Sequence, residues 1–330
     1  MRSGARGERA GGFAPGAGEY ATADEPVAQA VASGGPAQDR APRAGLGLGG
    51  RREAVVRLRR GSREAGTAVR VLVLHGLAGS TAVWRAYEEL APGCVELWDG
   101  ALPWGADGDP DWSLFGDPAE HVADALDAVP GGVDVLVAHS FTVGPALEAV
   151  VRRDVRPRGI VAVAPFHRRG PGEFSWDDAA YYLNGFHRIL EEGLRISAGD
   201  RLSPQLRAAM ALRVRDRIGP YGWQQFFGAY LRSPFLDVDA LRMPVLVVAG
   251  AEDFAAPPGD AAALAAALPD GRLELFDDCG HFAMAEQPDR FAGAVRELIR
   301  DAVPEVDTDT DKDRCTSSDL SLLTIPTHRS

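Results

Sequence analysis

Short apolar runs that alternate with helical patterns constrain the fold of this chain more than any other feature. Clear examples lie at residues 71–74, 133–138, 159–164 and 245–249. A strand that is buried on both faces reads as a continuous apolar run, because helices cover it above and below. The sequence therefore predicts an α/β fold, with a mostly parallel sheet and helices on both faces.

The alternation is interrupted after Phe166. Residues 167–241 hold helical patterns and no convincing strand, and the next apolar run starts at residue 245. We expect this helical block, inserted where a strand ends, to form a lid over that edge of the sheet.

The two ends of the chain differ in composition from its middle. Residues 1–50 are rich in Gly, Ala, Pro and Arg with hardly a large apolar side chain, and residues 303–330 repeat Asp, Thr and Ser. Such segments cannot bury enough apolar surface to offset the entropy lost on ordering. We predict a disordered extension at each end and one folded domain over residues 51–302.

One predicted strand–helix junction carries a reactive side chain. The apolar run ends at Ala138, Ser140 follows in the turn, and a helical pattern begins at Val143. A turn this sharp lifts its central hydroxyl clear of the backbone, in front of a helix N-terminus, and needs small residues two before and two after it. Those positions hold Ala138 and Thr142, where Gly is commoner, so the β-branched Thr142 is expected to crowd the turn. The pattern indicates that Ser140 is a nucleophile.

Two candidate partners for Ser140 follow later strands. A hydroxyl nucleophile needs a base, and the base needs a third group that fixes its tautomer. Asp253 comes just after the apolar run 245–249, and His281 follows the strand-like run 272–276. Both fall past the carboxyl ends of predicted strands, where α/β sheets place their functional groups. The sequence therefore predicts a triad of Ser140, Asp253 and His281.

Other acidic side chains compete for the third position. Glu252 is the rival acid, and Asp253 could instead cap the helix that starts near Pro257. Asp277 and Asp278 are too close in sequence to His281 to be easy partners of its ring.

Three further side chains near these motifs have simpler interpretations. His75 and His139 flank the predicted site, and we expect them to support its loops and not to transfer protons. Cys279 lies two residues before His281 and is expected to be a small apolar filler, because Ser140 already provides the nucleophile.

An upstream loop completes a set of four motifs. The apolar run 71–74 leads into His75-Gly76-Leu77-Ala78-Gly79-Ser80. On these residues the chain resembles the α/β-hydrolase superfamily, of the capped esterase, lactonase and carbon–carbon-hydrolase kind, over about residues 55–302. The four motifs are His75-Gly76, Ala138 to Thr142, Gly250 to Asp253 with Pro257, and Gly280-His281.

The resemblance implies a mechanism. Ser140 would attack an acyl carbon while His281 takes its proton and Asp253 orients the imidazole. The backbone N–H groups of Leu77 and Phe141 would form the oxyanion hole, and water would release the acyl group. The expected reaction is hydrolysis of a small to medium, mainly apolar ester, lactone or thioester. The same triad would serve a carbon–carbon bond hydrolase or a cofactor-free haloperoxidase or perhydrolase, and a non-catalytic relative would bind a small ligand.

Aromatic residues are concentrated in the predicted lid and the long loop that precedes the strand–turn–helix junction. Ligand sites bury most of their ligand against such side chains, so an apolar or aromatic acyl group is expected. The alternative is that the rings pack the lid helices onto the body. The substrate-binding candidates are Trp104, Phe166, Tyr182, Trp223 and Phe227.

Composition limits the partners. The formal net charge is −12, which disfavours nucleic acid and anionic membrane surfaces, so a small-molecule substrate is expected. No metal-ligand spacing or phosphate-binding loop stands out, so neither a metal nor a cofactor is predicted. Three cysteines imply no disulfide framework and no apolar run is long enough to span a membrane, so the cytoplasm is the expected location.

Overall fold

A computed structural model of the protein describes residues 55–63, 68–106, 108, 111–153, 155–306 and 308. The predicted N-terminal extension, residues 1–50, lies outside the described residues, as does the C-terminal segment from residue 309. Residues 303–306, which fall in the predicted C-terminal extension, are described: Val303 is buried, and Glu305 forms an ion pair with Arg158.

A seven-stranded sheet forms the centre of the fold, in the order β1-β3-β2-β4-β5-β6-β7. Only the edge strand β1 is antiparallel to its neighbour, β3, and the other neighbouring strands are parallel. The prediction of a mostly parallel sheet is therefore confirmed. The strands are β1 (Val55–Arg60), β2 (Val69–Leu74), β3 (Val95–Ala101), β4 (Val135–His139), β5 (Gly159–Val163), β6 (Val245–Gly250) and β7 (Gly271–Phe276).

The α-helices connect successive strands or extend from their ends. The segment that follows β2 begins as a 3-10 turn, Thr81–Trp84, and continues as a short α-helix, Arg85–Leu90. The helices are α1 (Arg85–Leu90), α2 (Trp112–Phe115), α3 (Pro118–Asp127), α4 (Val143–Arg153), α5 (Trp176–Ala198), α6 (Pro204–Arg232), α7 (Pro258–Ala267), α8 (Ala283–Glu286) and α9 (Pro288–Ala302).

The central strands are buried on both faces. Leu72 and Leu74 of β2 belong to one apolar cluster with residues of α3, α4 and α7, whereas Val71 and Val73 belong to another with residues of α1, α8 and α9. Side chains along a strand point alternately to opposite faces. A strand between two helical layers therefore has no polar position, which is why the run reads as continuously apolar.

A helical insertion, residues 167–241, lies between β5 and β6 and contains α5 and α6. Helix α5 begins with a capping box in which Ser175 and Asp178 each bond the other's backbone N–H. Helix α6 is broken at Gly219, whose φ of 66° is left-handed, immediately before Pro220. All residues of the insertion are described and none forms a strand, as the sequence predicts.

Candidate active site

Ser140 lies in a strained turn between β4 and α4. Its φ of 58° is in the left-handed region, which costs a non-glycine residue free energy and is concentrated at functional sites. The turn also needs Gly76 on the neighbouring loop, because a Cβ there would lie 2.9 Å from the Cβ of Ser140. Helix α4 starts at Val143, so its N-terminus lies directly behind the serine.

The structure brings the three predicted triad residues together. Ser140 Oγ lies 2.8 Å from His281 Nε2, and His281 Nδ1 lies 2.7 Å from Asp253 Oδ2. The second carboxylate oxygen of Asp253 accepts the backbone N–H groups of Ala255 and Ala256 at 2.8 and 2.9 Å. These two backbone donors hold the Asp253 side chain in place, with its other oxygen positioned to accept Nδ1–H of His281 and so to fix the tautomer of that ring.

The competing acids lie elsewhere. Glu252, Asp277 and Asp278 are all exposed, whereas the Asp253 side chain is fully buried beside His281. Helix α7 has Pro257 as its N-cap, so Asp253 is not the cap of that helix.

The backbone around His281 is held from three directions. The Glu286 carboxylate accepts the N–H groups of Gly280 and Phe282, at 3.0 and 2.9 Å. His139 Nε2 lies 2.9 Å from the carbonyl oxygen of His281 and donates to it. Burial lowers the pKa of His139 well below its ordinary value, and the adjacent His281 lowers it further, so the ring is neutral. His139 therefore supports the loop, as the sequence suggests, and Glu286 is a supporting residue that sequence reasoning missed.

Gly250, the last residue of β6, allows the His281 loop to approach. A Cβ at this position would lie 2.2 Å from the carbonyl oxygens of both Cys279 and Gly280. This contact brings the end of β6, which leads to Asp253, against the loop that carries His281.

The loop after β2 holds its predicted oxyanion donor in a hydrogen-bonded frame. His75 Nδ1–H donates to the carbonyl oxygen of Gly76 at 2.9 Å, and His75 Nε2 accepts the N–H of Leu102 at 3.2 Å. Burial lowers the pKa of His75, which keeps the ring neutral and able to accept. The Ala78 N–H donates to the Trp104 carbonyl oxygen at 2.8 Å. Leu77 lies between these anchored residues, and its backbone N–H remains the predicted oxyanion donor of this loop.

Thr142 does not distort the turn, and the expected crowding is absent. Its hydroxyl donates to the carbonyl oxygen of His75 at 2.6 Å and accepts the indole N–H of Trp104 at 3.0 Å. The side chain is completely buried, and the Ser140 turn keeps its left-handed φ. The hydroxyl thus joins the serine turn to the loop that carries Leu77, a connection that a glycine could not make.

Aromatic rings surround the triad on the side of the insertion. Phe141 packs against Trp104 with ring centroids 5.3 Å apart and against Phe226 at 6.2 Å. Phe166 lies 5.9 Å from the His281 ring and 6.0 Å from the Tyr182 ring. Three of the predicted substrate-binding residues, Trp104, Phe166 and Tyr182, therefore pack against Phe141 or His281 or lie one ring away from them.

The other two predicted residues pack within the insertion. Trp223 stacks on Phe227 at 4.7 Å, and Phe227 packs against Phe174 at 5.1 Å. Phe226, and not its neighbour Phe227, faces Phe141 and Phe166. Successive helical residues point about 100° apart, so only one of the pair can face the triad, and the choice depends on how α6 is rotated.

The Cys279 thiol and two properties of the whole described chain complete the account of the site. Burial raises the pKa of the Cys279 thiol to about 12, which makes it a poor nucleophile. Within the described ranges no group of three or more His, Cys, Asp or Glu side chains could hold a metal ion. The helices of the same ranges include none with the length and apolar character needed to cross a membrane.

Comparison with known proteins identifies the family of this chain. A model of the alpha/beta hydrolase family matches residues 71–294, a range that contains all four motifs. The chain belongs to this family and is a hydrolase.

The chain is similar to hydrolases and to one peroxidase. It is 29% identical to 2-hydroxymuconate semialdehyde hydrolase from Pseudomonas putida over 197 residues, which cover 56% of this chain and 68% of that protein. Its fold matches Est816, described as an N-acyl homoserine lactone degrading enzyme, with a TM-score of 0.53 and 19% identity, over 74% of this chain and 96% of that one. It also matches a bromoperoxidase from Bacillus anthracis, with a TM-score of 0.55 and 17% identity, over 71% of this chain and 93% of that one. At these identities the two structural matches show the fold alone.

Proposed function

We propose that the protein is a serine hydrolase that cleaves a small to medium, mainly apolar ester, lactone or thioester through an acyl-enzyme. The observation that carries this proposal is the unbroken hydrogen-bonded series from Ser140 through His281 to Asp253, with distances of 2.8 and 2.7 Å. The strained φ of Ser140 supports it, because a left-handed residue in this turn lifts its hydroxyl clear of the backbone.

Each residue has a definite part in the reaction. His281 Nε2 takes the proton of Ser140 as Oγ attacks the acyl carbon, and Asp253 stabilises the resulting imidazolium. The N–H groups of Leu77 and Phe141 donate to the developing oxyanion, and each such donor lowers the barrier by about 3 kcal/mol. The imidazolium then protonates the leaving group, and a water that His281 deprotonates releases the acid.

The helical insertion acts as a lid in this proposal. Ser140 is only 7% exposed, and the side chains of His281 and Asp253 are almost fully buried. Rings from the insertion, including Tyr182 and Phe226, pack over Phe166 next to His281. A substrate therefore reaches Ser140 only after α5 and α6 shift, and the rings it meets favour an apolar acyl group.

Hydrolysis of p-nitrophenyl esters of increasing acyl length tests the proposal. We expect turnover by the wild type, loss of turnover in Ser140→Ala, and a preferred chain length that reports the size of the site. Ser113→Ala is a matched control, because Ser113 is also 7% exposed and lies outside the triad. Turnover that persists in Ser140→Ala would refute the nucleophile assignment.

A second candidate, hydrolysis of a carbon–carbon bond, is favoured by the similarity to 2-hydroxymuconate semialdehyde hydrolase from Pseudomonas putida. Both reactions begin with attack on a carbonyl carbon, and they differ in whether the leaving group departs through oxygen or carbon. Competition between 2-hydroxymuconate semialdehyde and the best p-nitrophenyl ester separates them. The ester proposal predicts the larger kcat/KM for the ester, and the reverse order would favour carbon–carbon cleavage.

A further inference from the structure

The insertion meets the body along borders that differ in how firmly they are closed. At the border with loop 102–116, Gln225 Nε2 donates to the carbonyl oxygen of Ser113 at 3.1 Å, and Arg217 Nη2 donates to that of Gly108 at 2.6 Å. Trp112, which precedes Ser113, is buried. Side-chain hydrogen bonds to the backbone and a packed ring therefore close this border.

A narrow cleft lies at another border, between α5 and the two residues that follow Asp253; we call it the α5 cleft. Its volume is about 10 Å³, which is room for a single water molecule. The Tyr181 hydroxyl donates to the Phe254 carbonyl oxygen, and the Arg188 guanidinium lies 5.1 Å from the centroid of the Phe254 ring. Tyr181 and Arg188 are both exposed, so water can compete for these contacts. This border is therefore held less firmly than the first.

Both walls of the α5 cleft reach the triad. On one wall, the buried Tyr182 ring lies 6.0 Å from Phe166, and the Phe166 ring lies 5.9 Å from that of His281. On the other wall, the Ala255 N–H donates to Asp253 Oδ1 at 2.8 Å. A shift of α5 away from residues 254–255 would therefore open a path with mainly apolar walls from solvent to His281.

Gly185 leaves the α5 cleft open from the middle of helix α5. A glycine inside a helix is destabilising relative to alanine, so it usually has a packing or functional reason. Gly193 of the same helix has a packing reason, because a Cβ there would lie 3.1 Å from the Phe282 ring. A Cβ at Gly185 would meet nothing within 4 Å. No neighbour requires glycine at position 185, and a larger side chain there would narrow the cleft.

A larger cavity, of about 220 Å³, is the alternative entrance; we call it the Arg168 cavity. Its walls carry four ionisable side chains, those of Arg168, Arg169, Glu173 and Asp260. The Tyr230 ring also lines it and lies 5.8 Å from Phe166, while the buried Arg168 guanidinium lies 5.5 Å from the Tyr230 centroid. An apolar acyl chain gains little from moving along ionisable side chains, whereas the apolar walls of the α5 cleft favour it.

We propose that the α5 cleft is the entrance through which the substrate reaches Ser140, and that Gly185 determines how large a group can pass. This inference rests on the proposed function. When the Tyr181–Phe254 hydrogen bond breaks, α5 moves away from residues 254–255 and Tyr182 turns aside. The acyl chain then passes to the Phe166 ring beside His281.

Ester hydrolysis by Gly185→Leu tests the entrance. Leucine is a good helix former, so the variant should keep α5 while its side chain narrows the cleft. We expect kcat/KM for p-nitrophenyl octanoate to fall by about tenfold or more, and that for the acetate to fall less, because the longer chain needs the wider passage.

The matched control is Gly259→Leu. Gly259 also lies in a helix, α7, it lines the Arg168 cavity, and a Cβ there would meet nothing within 4 Å. This variant narrows the alternative entrance in the same way. Its kcat/KM for both esters should stay within about twofold of the wild type.

Thiol labelling measures access to position 140 without any hydrolysis. Cys94 and Cys279 are buried, and Cys315→Ser removes the cysteine that lies outside the described residues. In that background, N-phenylmaleimide should label the thiol introduced by Ser140→Cys, as mass spectrometry of the peptide reports. Gly185→Leu should slow this labelling and Gly259→Leu should not. Tyr181→Phe removes the hydroxyl that bonds Phe254, so labelling should become about two- to tenfold faster.

The outcomes separate the entrance from the proposed function. Slower labelling in Gly259→Leu with an unchanged rate in Gly185→Leu would make the Arg168 cavity the entrance and overturn the proposal, and equal rates in both variants would overturn it too. If Gly185→Leu does not fold, an unchanged rate in Tyr181→Phe decides against the α5 cleft. Slower labelling in Gly185→Leu together with a wild type that hydrolyses no ester would support the entrance and contradict the hydrolase proposal alone.

Discussion

The loops around Ser140 and the segment around Arg168 are one phenylalanine ring apart, yet they differ in how completely their buried polar groups are hydrogen-bonded. Near Ser140, the Thr142 hydroxyl both donates and accepts, and both oxygens of Asp253 have partners. Near Arg168, two guanidinium nitrogens and one oxygen of Asp260 have no hydrogen-bond partner among the residues that the structure describes. The polar groups of the first region are matched to one another, whereas the second region leaves three buried polar atoms unmatched.

The difference follows from which parts of the fold supply the residues. The groups near Ser140 lie at the carboxyl ends of β2, β4, β6 and β7, whose spacing is fixed by the ladder of backbone hydrogen bonds. Arg168 and Tyr230 lie at the two ends of the insertion, and Asp260 lies on α7 of the body. Helices packed mainly through side chains are less rigidly fixed than strands in a sheet, so their polar groups are less closely matched to one another.

The largest expected effect is the loss of kcat when Ser140, the predicted nucleophile, is replaced. Ser140→Ala removes the attacking atom but leaves the oxyanion loop and the His281–Asp253 pair intact, so kcat should fall by about 10⁶-fold with little change in stability. Steady-state ester hydrolysis, together with thermal unfolding, measures both. A kcat within tenfold of the wild type would mean that Ser140 is not the nucleophile.

The next largest effect tests the tautomer of His281. Asp253→Asn keeps the shape of the side chain but places an amide where the carboxylate accepts Nδ1–H, so kcat should fall by about 10⁴-fold. Glu252→Gln is the matched control, since Glu252 is exposed next to Asp253 and should be neutral. Comparable losses in the two variants would contradict the assignment of Asp253.

A substitution in the helical insertion should change both the free energy of unfolding and the ester preference. Phe226 is 2% exposed between Phe141 and Phe166, and Phe226→Ala should reduce the free energy of unfolding by about 3–5 kcal/mol. The space it leaves should also move the ester preference toward longer acyl chains. Phe227→Ala, on the neighbouring helix position, should leave that preference unchanged, and denaturant unfolding with the ester series measures both effects.

The connection through Thr142 should affect kcat more than KM. Thr142→Val keeps the shape but leaves the His75 carbonyl oxygen and the Trp104 indole N–H unpartnered, which costs about 1–3 kcal/mol. If the oxyanion loop shifts in response, kcat should fall by about 10- to 100-fold, and Thr142→Ser should restore it. A Val variant as active as the Ser variant would show that the hydroxyl is not needed to position the loop.

The smallest expected effect is on acid stability. Burial lowers the folded-state pKa of His75 and His139 and brings that of His167 to about 4, so below about pH 6.5 the unfolded state takes up protons that the folded state does not. Stability should therefore fall as the pH drops through that value. Asp260, whose pKa is raised to about 7, has the opposite sign: its contribution is fully present below its unfolded pKa and is lost as pH rises toward 7.

His139→Gln isolates one of these contributions. The Gln amide can still donate to the His281 carbonyl oxygen, so the slope of the unfolding free energy between about pH 5 and 6.5 should decrease by up to about 1.4 kcal/mol per pH unit. Urea unfolding across this range measures the slope, and an unchanged slope would mean that His139 is protonated in the folded state.

Much of the site could be predicted because the sheet is parallel. Apolar runs mark the strands, and in a parallel sheet the residues that follow neighbouring strands meet at one edge. Ser140, Asp253 and His281 each follow such a run, and the structure places them within hydrogen-bonding distance. Their catalytic roles stay predictions until the variants above are measured.

Thr142 shows where such reasoning fails. The sequence indicates a crowded position, because side-chain volume can be read from the residue type alone. Whether a β-branched side chain crowds the turn or bridges it depends on the His75 carbonyl oxygen and the Trp104 indole, which come from other parts of the chain.

The sequence by itself determined the strands, the strand–turn–helix junction at Ser140 and the order of the triad, because these depend on local apolar patterns and on the geometry of adjacent residues. Tertiary structure alone decided that Phe226 and not Phe227 faces the site, that Glu286 brackets His281, and that Arg168 lines a cavity with Asp260. The physical reason is the same in each case. These contacts join residues whose distance in space depends on how α6, α7 and α8 pack on the sheet, and no local pattern specifies that packing.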